Sequence, residues 1–208
     1  MARQYAKSAG VRRAIIETCS DAFRESGFRG VSMAEIARRA GISHTGLLHH
    51  FPRKESLLTA VLELQDERAD QFLRENGTLS PDSDPLAILQ GMVATLVERD
   101  HYAGLVELSA TLGGEATTPS HPAHEYFANR YRNVRSFLTR VFQALGDEDR
   151  LLSEMSPSEL AAMTIAATDG LNIQWLYARG EINVDAIVGG FLATIVAGPN
   201  AQVYAGSR

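Results

Sequence analysis

Ser43, His44, Thr45 and Gly46 are four consecutive small or polar residues at the expected start of a short helix, with His49 and His50 following on the same helix. Short polar side chains at an exposed helix start fit the edges of bases, and the free backbone N–H groups beside them fit phosphate oxygens. His44, His49 and His50 also raise the question of a metal. The helix is short and offers no acidic third ligand, so a metal is not expected there. His121, His124 and Glu125 flank Pro122 in a predicted break and lack the helical His-Glu-x-x-His spacing, so no metal is expected at that point either.

A second set of residues suits a small molecule rather than a polymer. His101, Tyr102, Glu107, Tyr131, Asn172, Gln174 and Trp175 are polar or aromatic residues on otherwise apolar helical segments, and they are candidates to line a ligand pocket. Taken singly, each is more readily read as a surface or a satisfied core residue. Enzyme signatures are missing: there is no Gly-x-Ser-x-Gly elbow, phosphate loop, dinucleotide fingerprint or metalloprotease motif. No cofactor is expected. The competing reading is a small helical enzyme acting on an apolar substrate, since a helical core can bring a carboxylate and a histidine together. A pure interaction module is a third class, distinguished by the absence of salt-sensitive duplex binding.

The elements that position these residues are helices. Apolar residues recur at helical spacing nearly everywhere in the 208 residues, and alternating strand patterns are absent, so the fold class is all-α. A first helix is predicted from about Val11 to Ser26, carrying Ile15, Cys19, Ala22 and Phe23 on one stripe and stopped by Gly27, after which Phe28 folds back. Ser32 and Glu35 form the start signal of a second helix with Ile36, Ala37 and Ala40 turned inward. Gly41-Ile42-Ser43 is a tight turn, and Ser43 caps a helix that ends near Phe51, before Pro52. The segment from Ser32 to Phe51 therefore has the anatomy of a helix-turn-helix, in which Ala37 permits close approach and Ile42 and Leu47 pack beneath the turn.

A long helix is predicted from Lys54 to Glu75, stopped at Asn76-Gly77, and a loop from Thr78 to Pro85. Further helices are expected at about 86–100, 101–113, 123–145, 157–179 and 184–197. Charge divides the chain in the same way as the pattern. Residues 1–55 carry ten basic and five acidic residues, whereas 56–208 carry ten basic and twenty acidic, within a total of −5. This segregation predicts a basic module that meets polyanion, residues 1–55, joined to an acidic helical body, residues 56–208. The single cysteine, Cys19, excludes an internal disulfide and is placed in the core. With no secretory signal pattern and no apolar run of spanning length, the expected compartment is the cytoplasm and no membrane partner is expected.

Gly-Phe-Arg-Gly-Val-Ser-Met-Ala-Glu-Ile-Ala-Arg-Arg-Ala-Gly-Ile-Ser, followed by Gly46-Leu47-Leu48-His49-His50-Phe51-Pro52-Arg53-Lys54-Glu55-Ser56-Leu57, resembles the TetR family of bacterial repressors. The likeness is specific over about residues 11–64. It is looser beyond, where Thr168-Asp169-Gly170-Leu171-Asn172-Ile173-Gln174-Trp175-Leu176 looks like the family's ligand-binding half. The resemblance implies a two-domain, all-α homodimer that binds a double-stranded DNA operator, represses transcription and releases DNA when an unidentified small-molecule effector binds. It implies DNA contacts from Ser32, Ser43, His44, Thr45, Gly46, His49, His50 and Lys54, with Lys54 on a phosphate. His50 is equally readable as a packed group beside Phe51.

Two positions depart from the family pattern. Leu48 stands where a tyrosine is common, and it is expected either to touch a thymine methyl or to face partly inward. Arg53 stands where a small capping residue is common. A cation is unfavourable at that end of a helix unless a phosphate is near, so Arg53 is either a phosphate contact or an idle surface charge. In the acidic body, Ala162, Ala166 and Gly170 recur every four residues, and the last helix adds Ile187, Val188, Gly189, Gly190, Phe191 and Ile195. Two such helices from each subunit are expected to form a four-helix dimer interface, as the resemblance implies, the alternative being that both helices bury themselves within one subunit.

Overall fold

The computed structural model describes residues 2–26, 30–75, 83–95 and 103–197. His101 and Tyr102, the stops at Gly27 and Asn76-Gly77, the packing of Phe28 and most of the loop at 78–85 lie outside the described residues. The rest is helical: α1 (Ala2–Ser26), α2 (Met33–Arg39), α3 (His44–His50), α4 (Lys54–Glu75), α5 (Pro85–Ala94), α6 (Ala103–Glu115), α7 (His124–Asp147), α8 (Pro157–Tyr177) and α9 (Val184–Ile195). An isolated antiparallel bridge between Leu151 and Val196 is the one β-type pairing among the described residues. Most predicted helices are present within a few residues. The main difference is α1, which begins nine residues before Val11 because Ala, Arg, Gln and Lys there propagate a helix without an apolar stripe to announce it.

The chain packs as two compact units, Met1–Arg68 with Asp100–Phe127, and Ala69–Arg99 with Ala128–Arg208. This division differs from the one expected after Glu55, and the reason is packing: α1 lies against α6, which groups residues 100–127 with the N-terminal helices.

In the first unit, Ile15, Ile16, Cys19, Ala22 and Phe23 of α1 are buried, as are Ile36 and Ala37 of α2, Leu47 of α3, and Leu57, Leu58, Val61 and Leu64 of α4. Burial pushes the Cys19 thiol up to about 12, so it is an inert core group. Gln65 donates to Ser20 Oγ at 3.1 Å, satisfying a hydroxyl that α1 buries against α4. Tyr126 donates to Asp66 at 2.7 Å, and His124 Nδ1 meets the Ala116 carbonyl at 2.8 Å beyond the end of α6.

In the second unit the core comprises Leu86 and Leu89 of α5, Leu138, Val141, Phe142 and Leu145 of α7, Leu160, Ala161 and Trp175 of α8, and Val184, Val188, Leu192 and Ile195 of α9. Each helix start is capped by sequence: Asp84 at α5, Asn183 at α9, and a Ser156/Glu159 capping box at α8. Arg150 clasps the unit, donating to Asp84 at 2.7 Å and to Glu148 at 2.8 Å while its backbone carbonyl accepts from Ala197.

Candidate nucleic-acid interface and effector site

The helix-turn-helix is built by two serine caps and one glycine. Ser32 Oγ accepts the Glu35 N–H at 3.2 Å and starts α2. The helix ends where Gly41 takes φ +67, a left-handed conformation that a side chain disfavours, and Ile42 N–H returns to the Ala37 carbonyl at 3.0 Å. Ser43 Oγ then accepts the Gly46 N–H at 3.0 Å and starts α3. A Cβ on Gly46 would stand 3.1 Å from that Oγ, so the glycine keeps room for the cap.

Two apolar anchors fix how α3 is rotated. Leu47 and Phe51 are fully buried, and the Arg12 guanidinium lies 4.8 Å above the Phe51 ring. At about 100° per residue, positions 45 and 49 lie opposite buried Leu47, 48 stands about 100° from it, and 44 about 60° from it at the start of the helix. His44, Thr45, Leu48 and His49 are exposed, while Gly46 and His50 are half-buried. The His49 and His50 rings meet edge to face at 5.6 Å. Leu48 is 38% exposed, so part of its side chain is covered by the module and part is open to a partner.

Around this face, Ser32, Ser43 and Arg53 are exposed and Lys54 is half-buried. Lys54 Nζ donates to the Val31 carbonyl at 3.3 Å, which holds the ammonium beside the start of α2. Arg38 and Arg39 both bond Glu35, and Arg39 reaches Glu25 at 2.6 Å. The hydrogen bonds from Arg38 and then Arg39 hold the Glu35 carboxyl at about 2, so these two arginines are partly neutralised by their own helix.

The candidate effector residues divide. Glu107 is half-buried on α6 in the first unit, whereas Tyr131, Asn172, Gln174 and Trp175 belong to the second. Gln174 is exposed on the far side of α8 from Asn172, because residues two apart on a helix do not share a face. Of the other three, Tyr131 is bonded to Asp169 of α8, the helix that also carries Asn172 and Trp175. Tyr131 on α7 donates to Asp169 Oδ2 at 2.8 Å, Asn172 follows Asp169 by three residues, and Trp175 follows Asn172 by three and is 4% exposed. Burial, then the bond to Asp169, push the Tyr131 hydroxyl up to about 12, so it remains a donor. Asn172 Oδ1 is buried without a hydrogen-bond partner. Among the described residues no three His, Cys, Asp or Glu side chains converge to hold a metal. No described helix is long and apolar enough to cross a membrane.

The α8 and α9 stripes are only partly as expected. Ala162, Met163, Ala166, Ile173 and Tyr177 of α8 are exposed, as are Ile187 and Gly190 of α9. Val188, Gly189 and Ile195, which the pattern had placed at an interface, are instead buried within the unit. α9 is apolar apart from Asp185 and Thr194, and Ile187 and Val188 are neighbours of the same type, so type alone does not say which of the two turns inward.

Comparison with known proteins bears on this arrangement. Residues 15–61 match the model of bacterial regulatory proteins of the tetR family, and residues 85–197 match that of the BetI-type transcriptional repressor C-terminal part. The regulator RutR of Escherichia coli strain K12 is 34% identical over 87 residues, 42% of this chain and 40% of RutR, so that match spans less than half of the relative. The repressor KstR2 of Rhodococcus jostii strain RHA1 is 24% identical over 196 residues, 91% of each protein. A transcriptional regulator of Saccharomonospora viridis, solved in complex with choline, superposes with a TM-score of 0.72 at 23% identity, covering 91% of this chain and 100% of that one. With its first helices matched by one family model and more than half of its length by the other, the chain belongs to the tetR family of bacterial regulatory proteins.

Proposed function

We propose that this protein is a sequence-specific, double-stranded DNA-binding transcriptional repressor, a cytoplasmic homodimer and not an enzyme, released from its operator by a small-molecule effector. The observation that carries the proposal is the rotation of α3: buried Leu47 and Phe51 leave His44, Thr45, Leu48 and His49 together on one exposed face of a capped helix. In this reading α3 enters the major groove, and Ser32, Ser43, Arg53 and Lys54 meet the phosphates that flank it. Selection of bound duplexes from a random pool tests it. A partly palindromic site should emerge, and affinity for it should fall steeply with salt. Equal retention of all duplexes, without salt dependence, would overturn the repressor reading.

For the effector, the support is the buried, unpartnered Asn172 Oδ1, three residues along α8 from the Asp169 that Tyr131 bonds. A buried acceptor without a donor costs about 1 to 3 kcal/mol, a cost that a ligand donor removes. The solved neighbour's complex with choline makes choline the first probe. An effector that releases DNA must bind more weakly, by the same factor, when operator is present. Calorimetry with and without operator measures this, and equal affinities would rule the coupling out.

A further inference from the structure

We propose that Leu48 is a specificity-determining residue that reads the C5 methyl group of a thymine on the major-groove edge of the operator. The inference rests on the reading of α3 as the recognition helix and goes further, to the chemical group recognised.

Among the described residues, the exposed large hydrophobic side chains are Leu48, Leu152, Met155, Met163, Ile173, Tyr177 and Ile187. Six of them belong to the second unit, which leaves Leu48 as the one large apolar side chain that the described part of the first unit holds in water. The same helix secures its packing through Leu47, about 100° around the helix from Leu48, and Phe51 at its end, both fully buried. Position also matters. On a helix, residue 48 projects between 44 and 45 and next to 49, so Leu48 stands at the middle of the exposed face with His44, Thr45 and His49 around it.

An aliphatic group at that point selects its partner by chemistry. A phosphate gains nothing from leucine, which has no N–H or O–H to donate. Guanine, cytosine and adenine present donors or acceptors on the major-groove edge, and pressing leucine over any of them strips water from a polar atom without replacing its hydrogen bond. Thymine alone among the four unmodified bases presents an apolar group there, its C5 methyl. Contact then removes two apolar surfaces from water at once. Selection is thus both attractive toward thymine and repulsive toward the rest. The shared chemistry is a pyrimidine C5 methyl, which 5-methylcytosine also carries, so the test uses synthetic duplexes free of methylcytosine.

The experiment takes the full-length protein and the site found by random-pool selection, and replaces each thymine in turn by deoxyuridine, which pairs identically and lacks only the methyl. Affinity is measured for the unchanged protein and for Leu48→Ala, with thermal melting to check the fold of the variant. At one thymine per half-site the unchanged protein should lose about fourfold, and about fifteenfold when both half-sites are altered, the factor for one buried methyl in each. Leu48→Ala should bind thymine and uracil duplexes equally. Comparing the two proteins cancels any effect of uracil on the duplex itself. If no thymine position distinguishes uracil from thymine, or if Leu48→Ala shows the same loss as the unchanged protein, Leu48 does not read a methyl group. Failure to select any duplex would show up before a single thymine is replaced, and it would overturn the recognition-helix reading together with this inference.

Discussion

Lys54 and His44 lie on the same module but differ in what holds them. The Lys54 ammonium is anchored on the Val31 carbonyl, and it retains two further N–H bonds for a phosphate, whose charge is the same whatever the base. His44 and Thr45 are exposed on the α3 face and can meet base edges. Lys54→Ala should therefore weaken binding to all duplexes by a similar factor, whereas His44→Ala or Thr45→Ala should change the preferred base at one position per half-site, by about 1 to 3 kcal/mol. Affinity for the selected site and for single-base variants measures both, and equal, sequence-blind losses from all three substitutions would refute the assignment. Asn172 makes the opposite kind of prediction. Asn172→Leu removes a buried acceptor that no protein group satisfies, so the ligand-free protein should melt higher, by an amount within about 1 to 3 kcal/mol. The same change should abolish release by the effector. A lower melting temperature with intact release would show that Asn172 serves the fold.

At the scale of the element, Gly41 is where the helix-turn-helix is most exposed to a single substitution. Its φ of +67 lies in the left-handed region, yet a Cβ there would meet no atom within 4 Å, so backbone conformation alone sets the cost of a side chain. Gly41→Ala should lose about 1 to 2 kcal/mol of stability, and Gly41→Asn less, because asparagine tolerates that conformation. Urea unfolding of the two variants checks the order, and equal losses would mean that the turn is not the source. This turn was legible from sequence because glycine and the serine caps Ser32 and Ser43 act within three or four residues of themselves. Features that depend on distant partners were not. Asp169 gains its meaning from Tyr131, 38 positions away, and nothing local to either residue marks the pair. The inward turn of Val188 and Ile195, against the outward turn of Ile187, is set by packing on α8 and α5, and three aliphatic residues of the same type do not reveal it. The grouping of Glu107 with the N-terminal helices likewise follows from α6 lying on α1, a contact between segments far apart in sequence.

At the scale of the whole molecule, residues 1–55 hold a basic excess and the remainder an acidic one, a segregation that supports the proposed binding of a polyanion by the first helices. One recognition helix reads too few base pairs to be selective, and a two-fold pair spaced by about 34 to 36 Å reads two half-sites. On α8, Ala162, Ala166, Gly170, Ile173 and Tyr177 follow one another at intervals of three or four, forming a single stripe. Its last member, Tyr177, is 90% exposed, and in the proposed homodimer this mostly exposed stripe is the surface that would meet the second copy. The double substitution Ala166→Glu with Ile173→Glu places two carboxylates on that stripe, opposite their own copies across a two-fold axis. Both positions are exposed, so the subunit should keep its helical content while sedimentation shows a monomer. Loss of the second half-site should then lower operator affinity by about a hundredfold or more, and the dependence on salt should fall to roughly half, as half the phosphates are contacted. A variant that remains dimeric, or a monomer that binds the operator as tightly as the unchanged protein, would show that this stripe does not pair the subunits on DNA.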